Sequence, residues 1–284
     1  MKVGLALSGG GIRGIAHAGV LKALEENNIP IDIIGGTSSG GLVASLYAIG
    51  YSPENIFESF KKYAKDIVSI NSVPLISGLG SIIGRKKAKF IGFNTGISIE
   101  ETCSDFAKNK GIENISNIKM PLVIPAVDMK DGKEYVFTNY IPKENDDDTK
   151  YITDISVGRA VRASSSFPAI FCPCDFKKHR FLDGGVLDNI PVKEVKKQGA
   201  TKIIAVNFEN DEIDETSNVM DIAMHTINIM GNKISEQSLD SSDFVLTIKT
   251  PKMGLLDTQN MESCFDYGYS STINNIEKIK QIIK

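Results

Sequence analysis

Histidine is scarce in this chain: three of 284 residues, His17, His179 and His225. That shortage narrows any chemistry needing an imidazole base, and each of the three has a bland reading available. His17 falls inside a predicted helix. His179 sits in "KKHR", a charged turn expected to be solvated, and His225 in the apolar helical pattern "VMDIAMHTINIM". Cysteine is also sparse, with Cys103, Cys172, Cys174 and Cys264. "CPC" at 172–174 does not have the spacing of a zinc site, and no second pair accompanies it, so no metal is expected. An excess of one charge is lacking too: 32 basic against 35 acidic residues leave a net −3, without the basic field that marks nucleic-acid binders. No apolar run approaches the ~20 residues that span a bilayer. The first one, "VGLAL", is too short for a signal-peptide core and meets a glycine turn at once. The expectation is a cytoplasmic protein with reduced thiols and no nucleic-acid partner.

What is present is an ordinary globular balance, 42% hydrophobic and 24% charged, ample for a core. "VGLAL" reads as a buried strand, "SGGGIRG" as a glycine turn, and "IAHAGVLKALEENN" as a helix with Ala16, Val20, Ala23 and Leu24 on one face. "IDIIG", "GTSSG" and "GLVASLYAIG" repeat the strand, turn and helix, giving a parallel βαβα unit. Further on, "PLVIPAVDM", "KEYVFT", "KIIAVNF" and "DFVLTI" read as strands. "SIEETCSDFAKNKG", "ISVGRAVRASSSF", "PVKEVKKQGA" and residues 262–283 read as helices. Residues 1–284 are expected to form one α/β domain, with a cap- or lid-like insertion at about 66–98.

"GGGIRG" (Gly9 to Gly14) fits a dinucleotide fingerprint, G-x-G-x-x-G. That use also wants an acid at the end of the second strand, where this chain carries "GGTSSG" instead; Asp32 lies near the strand's start. The same physics suits an oxyanion site. Gly9, Gly10 and Gly11 let backbone N–H groups converge, Gly14 opens a helix, and Arg13 adds a charge at the rim. The second turn holds G-x-S-x-G: Gly36, Ser38 and Gly40, between an apolar strand and a helix. This is the context of a nucleophile elbow, with Ser38 as nucleophile and Thr37 and Ser39 as helix caps.

A serine needs a base. Asp183 in "FLDGGVLDNIPV" stands at a strand end before Gly184 and Gly185, either as an ordinary Asp-Gly turn or as a reactive carboxylate. The chain order Ser38, Asp183, His225 also matches an α/β-hydrolase triad, so that mechanism stays open at this point. So does a nucleotide-binding or non-catalytic module built on "GGGIRG".

Three signatures occur together and in order: G-G-G-x-R-G, then G-T-S-S-G, then D-G-G after "RASSSFP". Over roughly residues 3–210 the chain resembles the patatin-like phospholipases, as a compact bacterial member. The resemblance implies a three-layer fold with a mostly parallel central sheet flanked by helices. It implies a lipid acyl hydrolase using a Ser38–Asp183 dyad and no histidine, an oxyanion site at Gly9, Gly10, Gly11 and Arg13, a lipid ester substrate, and no cofactor. Where family members often carry two asparagines before the proline, Asp188 replaces the first. "PLISGLGSIIG" followed by "RKKAK" (85–89) reads equally as a lid or as an edge for peripheral contact with the inner membrane face through residues 75–93. The "DDDT" loop lacks the ligand spacing of a calcium site.

Overall fold

The structure, a computed structural model, describes residues 1–68, 94–144, 148–168, 170–209, 219–250 and 258–284. Most of the expected insertion at 66–98, the proposed membrane-contact stretch 75–93 and the first half of the "DDDT" loop lie outside them. The ends of that insertion are helical: 66–68 close one helix and 97–98 begin another.

β1 (Val3–Leu7) runs into a 3₁₀ turn (Gly11–Ile15) and α1 (Ala16–Glu26), and β2 (Ile33–Gly36) into α2 (Ser39–Ala48) and α3 (Pro53–Val68). After α4 (Ile97–Asn109) come β3 (Leu122–Asp128), β4 (Lys133–Thr138), β5 (Thr149–Ile152), α5 (Val157–Ser164), β6 (Cys174–Phe176) and β7 (His179–Asp183). A 3₁₀ turn (Gly184–Val186), α6 (Val192–Lys197), β8 (Lys202–Phe208), α7 (Val219–Asp240), β9 (Phe244–Ile248), α8 (Met261–Asn274) and α9 (Ile276–Ile282) complete the described chain.

The described strands form one sheet in the order β5-β4-β3-β2-β1-β8-β9, with β7 also on β3 and β6 on β7. From β3 through β9 every neighbouring pair along that path is parallel; the antiparallel pairs are β3–β4, β3–β7 and β6–β7. Alternation along β1 divides the apolar layers, because successive strand residues face opposite sides. Leu5 and Leu7 join Ile34, Ile124, Val206 and the apolar faces of α1 and α2. Ala6 joins Ile33, Ile203 and Ala205 against Val195 of α6 and Leu239 of α7. Each large side chain fully buried this way stabilises the fold by roughly 1.5–3 kcal/mol. Helices on both faces of the sheet make the three layers, and the C-terminal ends of β1 and β2 deliver both glycine turns to one edge, where such sheets carry their chemistry.

Candidate active site

Ser38 stands between β2 and α2 with φ at 55°. A non-glycine residue so placed is strained by about 1–3 kcal/mol and persists only where its surroundings over-determine it. Here they do. The Ser38 N–H donates to Ser164 Oγ at 3.0 Å, and the Ser38 carbonyl accepts from the Leu42 N–H at 3.1 Å. Thr37 donates from its N–H to the Leu7 carbonyl (3.1 Å) and from its hydroxyl to the Asp188 carbonyl (2.8 Å). The elbow is tight because Gly40 lies against β1: a Cβ there would stand 2.6 Å from the carbonyl oxygens of Leu7 and Ser8. The expected caps are corrected: the Thr37 hydroxyl is committed to Asp188, and the Ser39 hydroxyl is buried with no partner among the described residues.

Asp183 ends β7, with its N–H on the Ser166 carbonyl at 3.1 Å. Oδ1 accepts from the Gly185 N–H at 2.8 Å. Oδ2 is buried and has no hydrogen-bond partner among the described residues. Burial pushes the Asp183 pKa up to about 7, with the Gly185 N–H and the Ser38 hydroxyl pulling part of the way back. The contact with Ser38 therefore acts on the carboxyl without closing a hydrogen bond at Oδ2. Resting enzymes often hold a base in this way, poised near the proton it takes.

The first glycine turn lies alongside. A Cβ on Gly9 would be 3.3 Å from Ser38 Cβ. The Gly9 N–H is already used, donating to both the carbonyl (3.2 Å) and Oδ1 (3.1 Å) of Asn189. The N–H groups of Gly10 and Gly11 have no partner among the described residues, and Gly11 takes a φ of 59°. Arg13 is turned inward: its guanidinium packs over the Phe208 ring at 5.5 Å and donates to the Glu209 carbonyl at 3.5 Å. Gly14 packs on the Ser39 side chain, and Gly185 lies beside Asn189. Asn189, Ser164 and Ser166 form no part of the sequence expectation. Each stood in a quoted segment, but only the fold reveals whom it meets.

Two histidines are committed elsewhere. His17 is fully buried, with Nε2 2.8 Å from the Ser8 carbonyl and its ring against Phe208. Burial lowers its pKa to about 4, so it is neutral and Nε2–H donates. The expectation of a solvated His179 is corrected: it lies on β7 with Nδ1 2.6 Å from Asp128 Oδ2, its ring between Tyr135 and Phe181. Asp128, on the neighbouring β3, draws it out of solvent. His225 lies within α7, and its side chain is outside the described residues. No helix among the described residues is long and apolar enough to cross a membrane.

A strained serine elbow after β2 and a buried carboxyl at the end of β7 thus meet at one edge of a mostly parallel sheet flanked by helices, the layout of an α/β protein with its site at the strand ends. The chain belongs to the patatin-like phospholipase family, whose model matches residues 5–196. It is 36% identical over 212 residues to Lysophospholipase NTE1 of Meyerozyma guilliermondii, covering 72% of this chain and 12% of that protein. The same figures hold for Lysophospholipase NTE1 of Candida albicans, with 13% of that protein covered. The chain thus spans only a small part of the length of these relatives. Among solved structures it is similar to VipD from Legionella pneumophila (16% identity, TM-score 0.52, 98% of this chain and 67% of that one). It is likewise similar to the type III effector protein ExoU (15% identity, TM-score 0.53, 98% and 53%). Those two likenesses are of fold.

Proposed function

We propose that this chain is a lipid acyl hydrolase in which Ser38 is the nucleophile and Asp183 its base. The observation that carries the reading is the pairing of a strained, half-buried serine with a buried carboxylate oxygen that has no hydrogen-bond partner among the described residues. Ser38 Oγ attacks the ester carbonyl while its proton passes to Asp183 Oδ2. The carbonyl oxygen takes the negative charge and is met by the Gly10 and Gly11 N–H groups, with Gly9 instead anchoring the turn to Asn189. Collapse breaks the bond to the alcohol, which leaves with the proton from Asp183. Water then attacks the acyl–Ser38 ester, gives its proton to Asp183, and the second collapse returns that proton to Ser38 Oγ. An alcohol leaves far more easily than an amine, so a weak carboxylate base suits esters. Donors held in place for the oxyanion are each worth about 10²–10³ in rate.

The substrate class is a long-chain carboxylic ester, with lysophospholipid favoured by the resemblance to proteins named lysophospholipase. Residues 1–284 are taken as one patatin-like domain working in the cytoplasm, and the apolar-then-basic stretch 75–93 as its contact with the inner membrane face. Fatty-acid release from lysophosphatidylcholine micelles, compared with diacyl vesicles, tests the substrate class. Release by the wild type and none by Ser38→Ala is expected. Equal release by both proteins would remove the proposal.

A further inference from the structure

Both reacting residues are tied by their backbones to one short corner of the chain, the end of α5. Ser164, its last residue, is fully buried, and its Oγ accepts the Ser38 N–H at 3.0 Å. Two residues on, the Ser166 carbonyl accepts the Asp183 N–H at 3.1 Å. The corner is fixed from behind by Arg162, itself buried, whose guanidinium donates to Ser166 Oγ at 2.6 Å and to the carbonyls of Thr95 and Cys172.

This arrangement answers a question left by the resting site. Asp183 Oδ2 has no closed hydrogen bond among the described residues, so in the resting site a bond at that oxygen does not align the pair. The alignment is set through the backbone, and its weakest point is Ser38, held at a φ of 55° against its own preference. The Ser38 carbonyl is secured by α2, but its N–H depends on a single side-chain oxygen, that of Ser164. The carbonyl end of the same peptide is held by the Gly40 N–H at 2.9 Å, so loss of the Ser164 acceptor leaves the Thr37–Ser38 peptide on one bond and lets it tilt toward ordinary geometry, which moves Oγ away from Asp183.

We propose that Ser164 is a positioning residue of the acyl-transfer site, its hydroxyl holding the Ser38 peptide in the strained geometry that aims Oγ at Asp183. The inference rests on the Ser38–Asp183 reading above.

The test compares wild type, Ser164→Ala, Ser164→Thr and Ser164→Cys in the full chain. Readouts are the rate of Ser38 phosphonylation by a fluorophosphonate, kcat and KM on a soluble acyl ester, and folding by circular dichroism and thermal melting. Misplacement by about an ångström costs on the order of 10²-fold in rate, so Ser164→Ala is expected to lose about 10- to 100-fold in kcat and in labelling. KM stays within about twofold of wild type, since ground-state binding is untouched. Ser164→Thr, which restores the acceptor, returns to within about fivefold of wild type. Ser164→Cys keeps the volume with only a weak acceptor, falls between Thr and Ala, and carries the test should the alanine protein not fold. Ser165, whose buried hydroxyl has no partner among the described residues, is the neighbouring control, and Ser165→Ala labels as wild type does. Folded Ser164→Ala or Ser164→Cys labelling at the wild-type rate would overturn the inference alone. Absence of labelling in the wild type would overturn the underlying reading and the inference with it.

Discussion

Asp183 is asked to be buried and basic at once, and its two consequences with pH run in opposite directions. Its pKa is raised to about 7, first by burial, and the base must be ionised to accept a proton. Labelling and kcat/KM should therefore climb through pH 7 with a one-proton slope and level off above it; a flat profile between pH 5.5 and 8.5 would contradict the assignment. Stability goes the other way. The folded state favours the neutral acid, so this stabilisation is full below the ordinary carboxylate pKa near 4 and is lost as pH rises to about 7. Asp183→Asn should then be inactive yet more stable at pH 8, by roughly 2–4 kcal/mol, measured by urea unfolding. The turns that carry Ser38 and Asp183 were legible in the sequence because turns announce themselves locally, in glycines beside a strand end. Asn189 and Ser164 were not, since their partners Gly9 and Ser38 lie far away in the chain. His179 was misread for the same reason: "KKHR" says surface, and only the adjacency of β3 supplies Asp128.

Among the elements, α1 and α8 meet closely enough that backbone touches backbone. A Cβ on Gly268 would strike the Ala16 carbonyl, and one on Gly19 the Phe265 carbonyl. Neither neighbour is a side chain able to turn away. Gly268→Ala should destabilise by about 2–3 kcal/mol or more through forced separation of the two helices, visible as a lower urea midpoint. A midpoint unchanged from wild type would mean that the helices pack less tightly than described. Element by element, long apolar strands were readable: β4 coincides with "KEYVFT", and β3, β8 and β9 fall within their apolar runs. β5 and β6 escaped notice because they are four and three residues long and largely lack buried side chains. α5 stops at Ser164 rather than running through Phe167, where successive serines offer the backbone competing hydrogen bonds. That early stop is what frees Ser164 and Ser166 to reach the site. The expected C-terminal helix divides into α8 and α9 at Asn275.

On the scale of the whole molecule, a second set of carboxyls, Glu194 buried and Glu134 and Asp188 half-buried, joins sheet, loop and helix beside the site. Asp188 lies near Glu134 of β4, and both face Glu194 of α6, which takes hydrogen bonds from Tyr151 and Lys197 at 2.7 Å each. Burial, then the neighbouring carboxylates, raises the pKa of both Asp188 and Glu134, with Thr149 and Lys193 opposing. By the same sign rule their neutral forms stabilise the fold fully near pH 4, and this stabilisation is lost as pH rises through neutrality. The melting temperature should fall between pH 5 and 8.5, and Asp188→Asn should shrink that fall by about 2–4 °C. An undiminished fall would show that the cluster is not its source. Sequence alone marked Asp188 as a departure from the asparagine common in the family; its partners come from two other elements and were beyond local reading.

The central claim is that Ser38 acts through Asp183 without a histidine, and fluorophosphonate labelling read by intact mass tests it most directly. The account predicts one adduct on wild type and on His225→Ala, and none on Ser38→Ala or Asp183→Asn at matched times. A folded His225→Ala that does not label, or an Asp183→Asn that labels as fast as wild type, would contradict it.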